Sequence, residues 1–400
     1  MRILHTSDWH LGRSFHREGM LAHQAAYVDH LLEVVESESV DLVVVSGDVY
    51  DRALPPVDAV RLANETFTRL SRSRARVVVT SGNHDSAQRL GFGAELIDAA
   101  GVFIRTRADT DGDPVLLGDD HGAVAVYGLP YLDPDHLREP WALSARSHEA
   151  ALGEAMARVR ADLADRPRGT RSVVLAHAFV AGNGSAGDVG AVRASDSERD
   201  ISVGGVSIVP TTLFDGIDYT ALGHLHGRHT LTERLRYSGS PLAYSFSEAS
   251  QLKGSWLVEL GGSGLTSAEF VEAPVPRPLA RLRGTLAELL GDPALGSHEG
   301  AWVQATLTDQ ERPAHAMETL RRRFPHTLVL GFEPSGGSRP VAASRPAPGR
   351  SDLEIAADFL TELRGRPASE AELALLQDAC DGCSHDHDLD PALLPVSGAG

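Results

Sequence analysis

The chain has 400 residues, of which 42% are hydrophobic and 23% charged, an ordinary globular composition with room for one large domain and one or two smaller ones. Its net charge of −18 argues against a broadly basic nucleic-acid-binding surface, but residues 351–390 hold eleven Asp and Glu against two Arg, so half of the excess lies in that tenth of the chain. Of the 37 basic residues only Lys253 is a lysine, and Gly254 follows it without Ser or Thr, which excludes a Walker A loop and leaves any ATP-driven step to a partner.

Met1-Arg2-Ile3-Leu4 leads straight into a strand at Ile3 to His5, so no signal peptide is expected; cleavage there would discard Asp8. Leu21, Ala25, Val28, Leu32 and Val35 step by four and three, the period of a buried helix face. Leu42 to Ser46 is the next strand, and apolar runs of this size are too short to span a bilayer. Pro55-Pro56 suits a helix start, after which Val57, Val60, Asn64, Phe67 and Leu70 repeat at near-helical spacing. Arg76 to Thr80 is a third strand. A further helix carries Leu152, Met156, Val159 and Leu163 before a strand at Val173 to Leu175, and Tyr219 to Leu222 completes this region.

Chemistry-bearing residues follow these strands: Asp8-Trp9-His10, Gly47-Asp48, Gly82-Asn83-His84-Asp85, a lone His177, and Gly223-His224-Leu225-His226. Together they form the mixed oxygen and imidazole set that suits a pair of divalent metal ions. Each has a plainer reading by itself, since Gly-Asp is an ordinary turn and a lone histidine more often a hydrogen-bonded one. Their order and shared place at strand exits favour one cleft. Gly47, Gly82 and Gly223 fit tight turns where backbone must bend close to a metal.

The segments Leu4-His5-Thr6-Ser7-Asp8-Trp9-His10-Leu11-Gly12, Ser195-Asp196-Ser197-Glu198-Arg199, Val203-Gly204-Gly205-Val206, Tyr237-Ser238-Gly239-Ser240-Pro241 and Ser245-Phe246-Ser247-Glu248 extend the pattern. With the metal motifs, they resemble the calcineurin-like metallophosphoesterase superfamily and, within it, the nuclease subunits of bacterial SbcCD-type DNA-repair complexes. The resemblance is good over about residues 1–260, looser over 275–380, and absent from the last twenty. It implies an α/β fold, a calcineurin-like β-sandwich flanked by helices. The expected parts are a catalytic domain at 1–272, a small α+β capping domain at 275–334, a flexible linker at 335–350, a helical pair at 351–380 and a disordered acidic tail at 381–400.

The resemblance also implies ligands. Asp8, His10 and His226 would hold one ion, Asn83, His177 and His224 the other, and Asp48 would bridge them. Manganese is expected first, because imidazole and carboxylate without thiolate disfavour soft metals; iron or zinc in one position stays open. His84 has no ion in this assignment and would serve the scissile phosphate, giving a proton to the leaving oxygen or stabilising phosphoryl charge. A carboxylate is expected to orient it, either Asp85 or Asp51, and the sequence does not choose. Arg52 is a candidate phosphate contact, against the plainer reading of a solvated arginine. The implied activity is 3′–5′ exonuclease action on duplex ends and endonuclease action on single strands and hairpins, in DNA repair, recombination and replication. The metal set alone suits a phosphomonoesterase, a cyclic-nucleotide phosphodiesterase or a protein phosphatase equally well. An adaptor with a vestigial site is a reading of another class, which the complete ligand set opposes.

Past Pro274, Pro276 and Pro278 the pattern alternates: strand-like Leu279 to Leu282, helical Leu286 to Leu290, strand-like Ala301 to Leu307, helical Ala314 to Phe324, strand-like Thr327 to Phe332. The resemblance makes this a cap that discriminates DNA ends. Residues 335–350 have a tether's composition. Ser351 with Glu354, and Ser369 with Glu372, are capping-box signatures; Leu353, Ala357, Leu360 and Leu363, then Leu373, Leu376 and Ala379, form apolar stripes. So short a pair should dock on something. The resemblance implies the coiled-coil base of an SbcC-type ATPase, in a complex with two copies of each subunit and a dimer of this chain; docking onto its own catalytic domain is the alternative. Cys380, Cys383, His385 and His387 have a spacing that suits zinc but lie outside the family pattern, so no third metal site is expected. Two cysteines give no disulfide framework, and a reducing cytoplasm near the nucleoid is the expected setting.

Overall fold

A computed structural model describes residues 1–182, 208–335, 351–364 and 366–386; the segments Ser195 to Arg199 and Val203 to Val206, the tether from 336 to 350, and His387 lie outside the described residues. Two six-stranded sheets stack face to face. The first runs Gly264–Glu272, Gly254–Gly261, Arg2–Thr6, Leu42–Ser46, Arg76–Thr80, Val102–Arg105; the second runs His229–Thr232, Leu235–Tyr237, Tyr219–Gly223, Arg171–His177, Gly122–Gly128, Val115–Asp119. Arg2–Thr6, Leu42–Ser46, Arg76–Thr80 and Val102–Arg105 are mutually parallel, as are Leu235–Tyr237, Tyr219–Gly223, Arg171–His177 and Gly122–Gly128, with antiparallel strands at the edges.

The two-residue period of a strand divides each apolar run between two cores. Ile3, Leu42, Val44 and Val78 face Val126, Val173, Leu175 and Tyr219 between the sheets. Their neighbours Leu4, Val43, Val45, Val77 and Val79 point outward, under the helices Leu21–Ser37 and Val57–Ser71. On the other side Tyr127, Val174, Ala176 and Leu222 pack beneath helix His148–Asp165. Near-continuous Val and Leu runs are what strands covered on both faces require, each fully buried side chain contributing roughly 1.5–3 kcal/mol.

The expected strands and helices up to residue 222 are present, but two helix faces are turned from their expected position. Helix Val57–Ser71 buries Ala59, Leu62, Ala63, Thr66 and Leu70, whereas Val57 and Val60 are 65% and 42% exposed. Beside Leu62 and Leu70 the buried face uses the small Ala59, Ala63 and Thr66, with Ala59 packed close to Gly12, and a reading weighted to large side chains sets the face too far round. Helix Leu21–Ser37 centres its core face on Tyr27, Val28, Leu31, Val34 and Val35, with Leu21, Ala25 and Leu32 at its margin. The strands Val102–Arg105, Val115–Asp119, Gly122–Gly128, His229–Thr232, Leu235–Tyr237, Gly254–Gly261 and Gly264–Glu272, some at the sheet edges and some inside, were not anticipated.

Backbone contacts divide the chain into two units: Met1–Leu282 with Leu289–Ala305 and Met317–Leu330, and Arg283–Glu288 with Thr306–Ala316 and the residues from Gly331 onward. The strands Leu279–Gly284, Trp302–Leu307 and Thr327–Phe332 form a three-stranded sheet, with helices Leu286–Gly291 and Ala316–Arg323 between them, as the sequence pattern predicts. Within the first unit, Trp302 stacks on Phe15 with ring centroids 5.1 Å apart. In the second unit helices Asp352–Arg364 and Glu370–Asp386 start at the two predicted capping boxes. The Ser351 amide donates to Glu354 Oε2 at 2.9 Å, and the Ser369 amide to Glu372 Oε2 at 2.8 Å. The second helix reaches Asp386, so the stretch expected to be disordered from 381 begins helical. Among the described residues no helix is long and apolar enough to cross a membrane.

Candidate metal centre

The C-terminal ends of the central strands of both sheets meet at one edge. Glycine lets them approach: a Cβ on Gly223 would stand 1.8 Å from the Ser46 carbonyl oxygen, one on Gly82 2.1 Å from Asp48 Oδ1, and one on Gly47 2.3 Å from His177 Nδ1. The loops there hold strained backbone, with φ of +53° at Asp8, +45° at His10, +51° at Asp48 and +105° at His224. Such conformations persist only where the surroundings over-determine them. Here they do: His10 N donates to Asp48 O at 3.0 Å, Asp8 N to Gly47 O at 3.1 Å, and the buried Gln24 amide donates to His10 O at 2.7 Å while accepting from Gly12 N at 3.0 Å.

Asp8, His10, Asp48, His177, His224 and His226 are all buried, and Asn83 joins them. Two nests of donor atoms result. In one, His10 Nε2 lies 3.0 Å from His226 Nε2, and Asp8 completes a cluster whose donor atoms all fall within 4.8 Å. In the other, Asn83 Oδ1 lies 3.0 Å from His177 Nε2 and 3.1 Å from His224 Nδ1. Asp48 stands between them, its Oδ2 3.4 Å from His177 Nε2 and 3.6 Å from His10 Nε2. Asp8 also accepts the His224 amide at 3.0 Å and the Ser7 hydroxyl.

This donor set fits a pair of divalent cations. Several imidazole nitrogens face one another or the Asn83 amide oxygen, contacts a shared cation would satisfy. Electrostatics agree. Burial works to raise the Asp48 carboxyl, but His177 and His10 hold it well below the usual range. Burial, with Asp48 nearby, pushes Asp8 up to about 6. Burial works to lower His177, yet Asp48 and Asp8 push it up to about 9. The site is organised for positive charge that these histidines only partly supply.

His84 sits beside the cluster, its ring 4.7 Å from that of His10 and its amide donating to Asp48 Oδ1 at 2.9 Å. It also groups with His10 and Asp48 within ligand-sharing distance. The expected orienting carboxylate is corrected. His84 Nδ1 lies 2.8 Å from the backbone carbonyl of Asp51, not from a carboxylate. A carbonyl only accepts, so Nδ1 carries hydrogen and Nε2 is left for chemistry. Asp85 instead accepts the amides of Val49, Tyr50 and Gly82 at 3.1, 2.8 and 2.9 Å, tying two metal loops together. The Asp51 carboxylate faces Arg13 at 3.6 Å and Arg52 at 4.0 Å, and Arg52 is 63% exposed.

Sequence reasoning gave no role to Glu248 and Lys253, which form a buried ion pair of 2.6 Å behind His226. Burial works to raise the Glu248 carboxyl, but Lys253 and His226 hold it well below the usual range. The available signal was the isolation of the single lysine in an arginine-rich chain.

Residues 1–228 match the family described as calcineurin-like phosphoesterase, and residues 275–363 match one described as type 5 capsule protein repressor C-terminal domain. The chain is similar to SbcD of Staphylococcus saprophyticus, the D component of the nuclease SbcCD, with 29% identity over 333 residues, 82% of this chain and 84% of that protein. Two solved structures are distant likenesses: TT1561 of Thermus thermophilus, with 13% identity, a TM-score of 0.38 and coverage of 67% of this chain and 98% of that one, and GAP50, the anchor in the inner membrane complex of Plasmodium, with 11%, 0.37, 85% and 99%. The family match spans more than half of the sequence and contains every residue of the Asp, Asn and His cluster, and the chain belongs to the calcineurin-like phosphoesterase family.

Proposed function

We propose that this chain is the nuclease subunit of an SbcCD-type complex, a two-metal phosphodiesterase acting on DNA. The observation that carries the reading is the position of Asp48 Oδ2 between two nests of donors, 3.4 Å from His177 Nε2 and 3.6 Å from His10 Nε2. A shared carboxylate between two ligand sets is what a bridged pair of ions needs, and the relative named as a nuclease covers most of the chain. Asp8, His10 and His226 would hold one ion, Asn83, His177 and His224 the second, with Asp48 common to both. Divalent ions, manganese first, supply when bound the Lewis acidity that polarises a phosphodiester and activates water at neutral pH.

The chain's own groups do the rest. Asp48 keeps both nests in register and fixes His84 through its amide. His84, with Nδ1 given to the Asp51 carbonyl, presents Nε2 to deliver a proton to the leaving oxygen or to stabilise charge on the phosphoryl group. Asp85 braces the loops that carry Asp48 and Asn83. Arg52 is exposed enough to meet a phosphate.

The reading extends to 3′–5′ exonuclease action on duplex ends and endonuclease action on single strands and hairpins, in repair and recombination beside the nucleoid. Residues 275–334 serve as the cap that discriminates DNA ends. The helices from 351 dock on an SbcC-type ATPase in a complex of two plus two subunits. The test is to incubate purified full chain with manganese and end-labelled duplex, single-stranded and hairpin DNA, beside a phosphomonoester dye. Metal-dependent DNA cleavage supports the reading; hydrolysis of the dye alone makes the chain a phosphatase, and no hydrolysis with both ions bound makes it an adaptor.

A further inference from the structure

His226 shows one ring nitrogen to the metal cluster and the other to a carboxylate. Its Nε2 lies 3.0 Å from His10 Nε2, and its Nδ1 lies 3.3 Å from Glu248 Oε1. The carboxylate accepts, so Nδ1 carries the hydrogen and Nε2 turns its lone pair into the cluster. Glu248 is only 1% exposed and is itself fixed: its Oε2 accepts the Tyr244 amide at 3.2 Å and lies 2.6 Å from Lys253 Nζ. Lys253, also buried, reaches further with the same ammonium, to the His226 carbonyl at 2.7 Å, Gln251 Oε1 at 2.9 Å and Ser240 Oγ at 3.0 Å.

These contacts close on themselves. The side chain of His226 is held by Glu248, Glu248 by Lys253, and Lys253 grips the backbone of His226. A compact ammonium reaches convergent acceptors from a narrow stem, a geometry that the planar fork of arginine does not offer. That accounts for the only lysine among 37 Lys and Arg. The pair also belongs to one stretch of chain, since Ser245 opens the short turn Phe246–Glu248 and Gln251 donates its amide to the Glu248 carbonyl at 2.9 Å.

We propose that Glu248 is a positioning residue for His226, locked by Lys253, and that this closed loop sets the affinity of the ion at Asp8, His10 and His226 while leaving the ion at Asn83, His177 and His224 unaffected. The inference rests on the two-ion reading above. A carboxylate behind a ligating histidine fixes its tautomer and direction, and removal of such a partner typically weakens metal binding 10- to 100-fold.

The experiment titrates manganese into metal-free full chain by calorimetry and reads the His226 tautomer from its nitrogen chemical shifts in the metal-free chain. In the wild type His226 should be the Nδ1–H tautomer. Glu248→Gln, with unchanged circular dichroism, should weaken one binding step about 10- to 100-fold and leave the other unchanged. A folded variant with both steps unchanged, or a wild-type His226 protonated at Nε2, overturns the proposal. If Glu248→Gln fails to fold because Lys253 is left buried and unpaired, the charge-neutral Glu248→Gln/Lys253→Met chain is measured instead and judged by the same two readouts. A wild type that binds no manganese would remove the two-ion reading, while the tautomer of His226 would still decide whether Glu248 orients it.

Discussion

His177 and Ser46 belong to different sheets, and His177 Nδ1 donates to the Ser46 carbonyl oxygen across 2.8 Å. That bond joins the sheets at the edge where the metal loops emerge and fixes the ring so that Nε2 faces Asn83 and Asp48. The seam has no room for a methyl group at Gly223, whose added Cβ would lie 1.8 Å from the same carbonyl. Gly223→Ala should therefore force the strands apart, costing about 3 kcal/mol or more and removing both ions. Gly153, inside helix His148–Asp165, has only Leu213 at 3.9 Å, so Gly153→Ala should stabilise by about 0.5–1 kcal/mol. Thermal melts and metal analysis on both variants check the contrast; a Gly223→Ala chain with normal metal content would show that the seam is looser than argued.

His84→Ala should keep both ions and bind DNA but cleave about 10²–10⁴-fold more slowly, the usual range for a lost general acid or base. Asp48→Ala should lose the ions, since its carboxylate faces both nests. Metal stoichiometry and cleavage rate on the same preparations distinguish them. Because His84 also stands within ligand-sharing distance of His10 and Asp48, loss of an ion in His84→Ala would make it a ligand. Asp51→Ala should leave the His84 ring in place, because its contact is to the backbone carbonyl.

Local pattern made much of this site legible. Strand exits could be read from β-branched runs, and the Asp, Asn and His loops after them converge as expected because parallel strands end at one edge. What stayed hidden depends on contacts distant in sequence or made by backbone. Nothing in Gly82-Asn83-His84-Asp85 tells that Asp85 turns back to Val49 and Tyr50, or that a carbonyl rather than a carboxylate meets His84. The pairing of Glu248 with His226 spans two strands, His229–Thr232 and Leu235–Tyr237, and a short turn. Helix Val57–Ser71 misled because alanine carries little weight in a hydrophobic stripe, although close packing prefers it.

Away from the site, Asp111 is 1% exposed and neither carboxyl oxygen has a hydrogen-bond partner. Burial pushes its carboxyl up from the ordinary 3.8 to about 8, against the pull of Arg158 and with a push from Asp109. The folded chain therefore keeps a proton that the unfolded chain releases above about pH 4, so this contribution to stability is complete below pH 4 and is lost as pH rises toward 8. Asp111→Asn should leave stability unchanged near pH 4 and raise it at pH 8 by about 1–3 kcal/mol, read from thermal melts at the two pH values. Identical pH slopes for the two chains would remove Asp111 as the cause.

The residues that helix Val57–Ser71 turns outward have company. Leu54, Val57, Phe92 and Leu96 are 67%, 65%, 86% and 84% exposed, and Arg89 Nη1 donates to the Ala53 carbonyl at 3.0 Å, joining the two segments. An exposed apolar group of this size is the kind of surface that interfaces use, and in the proposed complex of two plus two subunits it would meet a second copy of this chain. Phe92→Glu with Leu96→Glu should convert dimer to monomer in sedimentation, with metal content unchanged. A double variant that still sediments as a dimer would place the interface elsewhere.

Partner binding should separate from chemistry at the tether. Helices Asp352–Arg364 and Glu370–Asp386 are well capped, and Arg364 pairs with Glu372 across them, yet Phe359 and Leu375 remain 58% and 69% exposed. A helical pair with this much uncovered apolar surface gains its stability from what it docks on. A chain ending at Gly349 should keep metal-dependent activity on single-stranded DNA and fail to co-purify with an SbcC-type ATPase. Leu360→Asp should reproduce that loss in the full chain, because the half-buried position would then place a charge in the apolar stripe. If the shortened chain still forms the complex, docking lies in the residues before 350; if it loses nuclease activity as well, the helices instead support the catalytic domain.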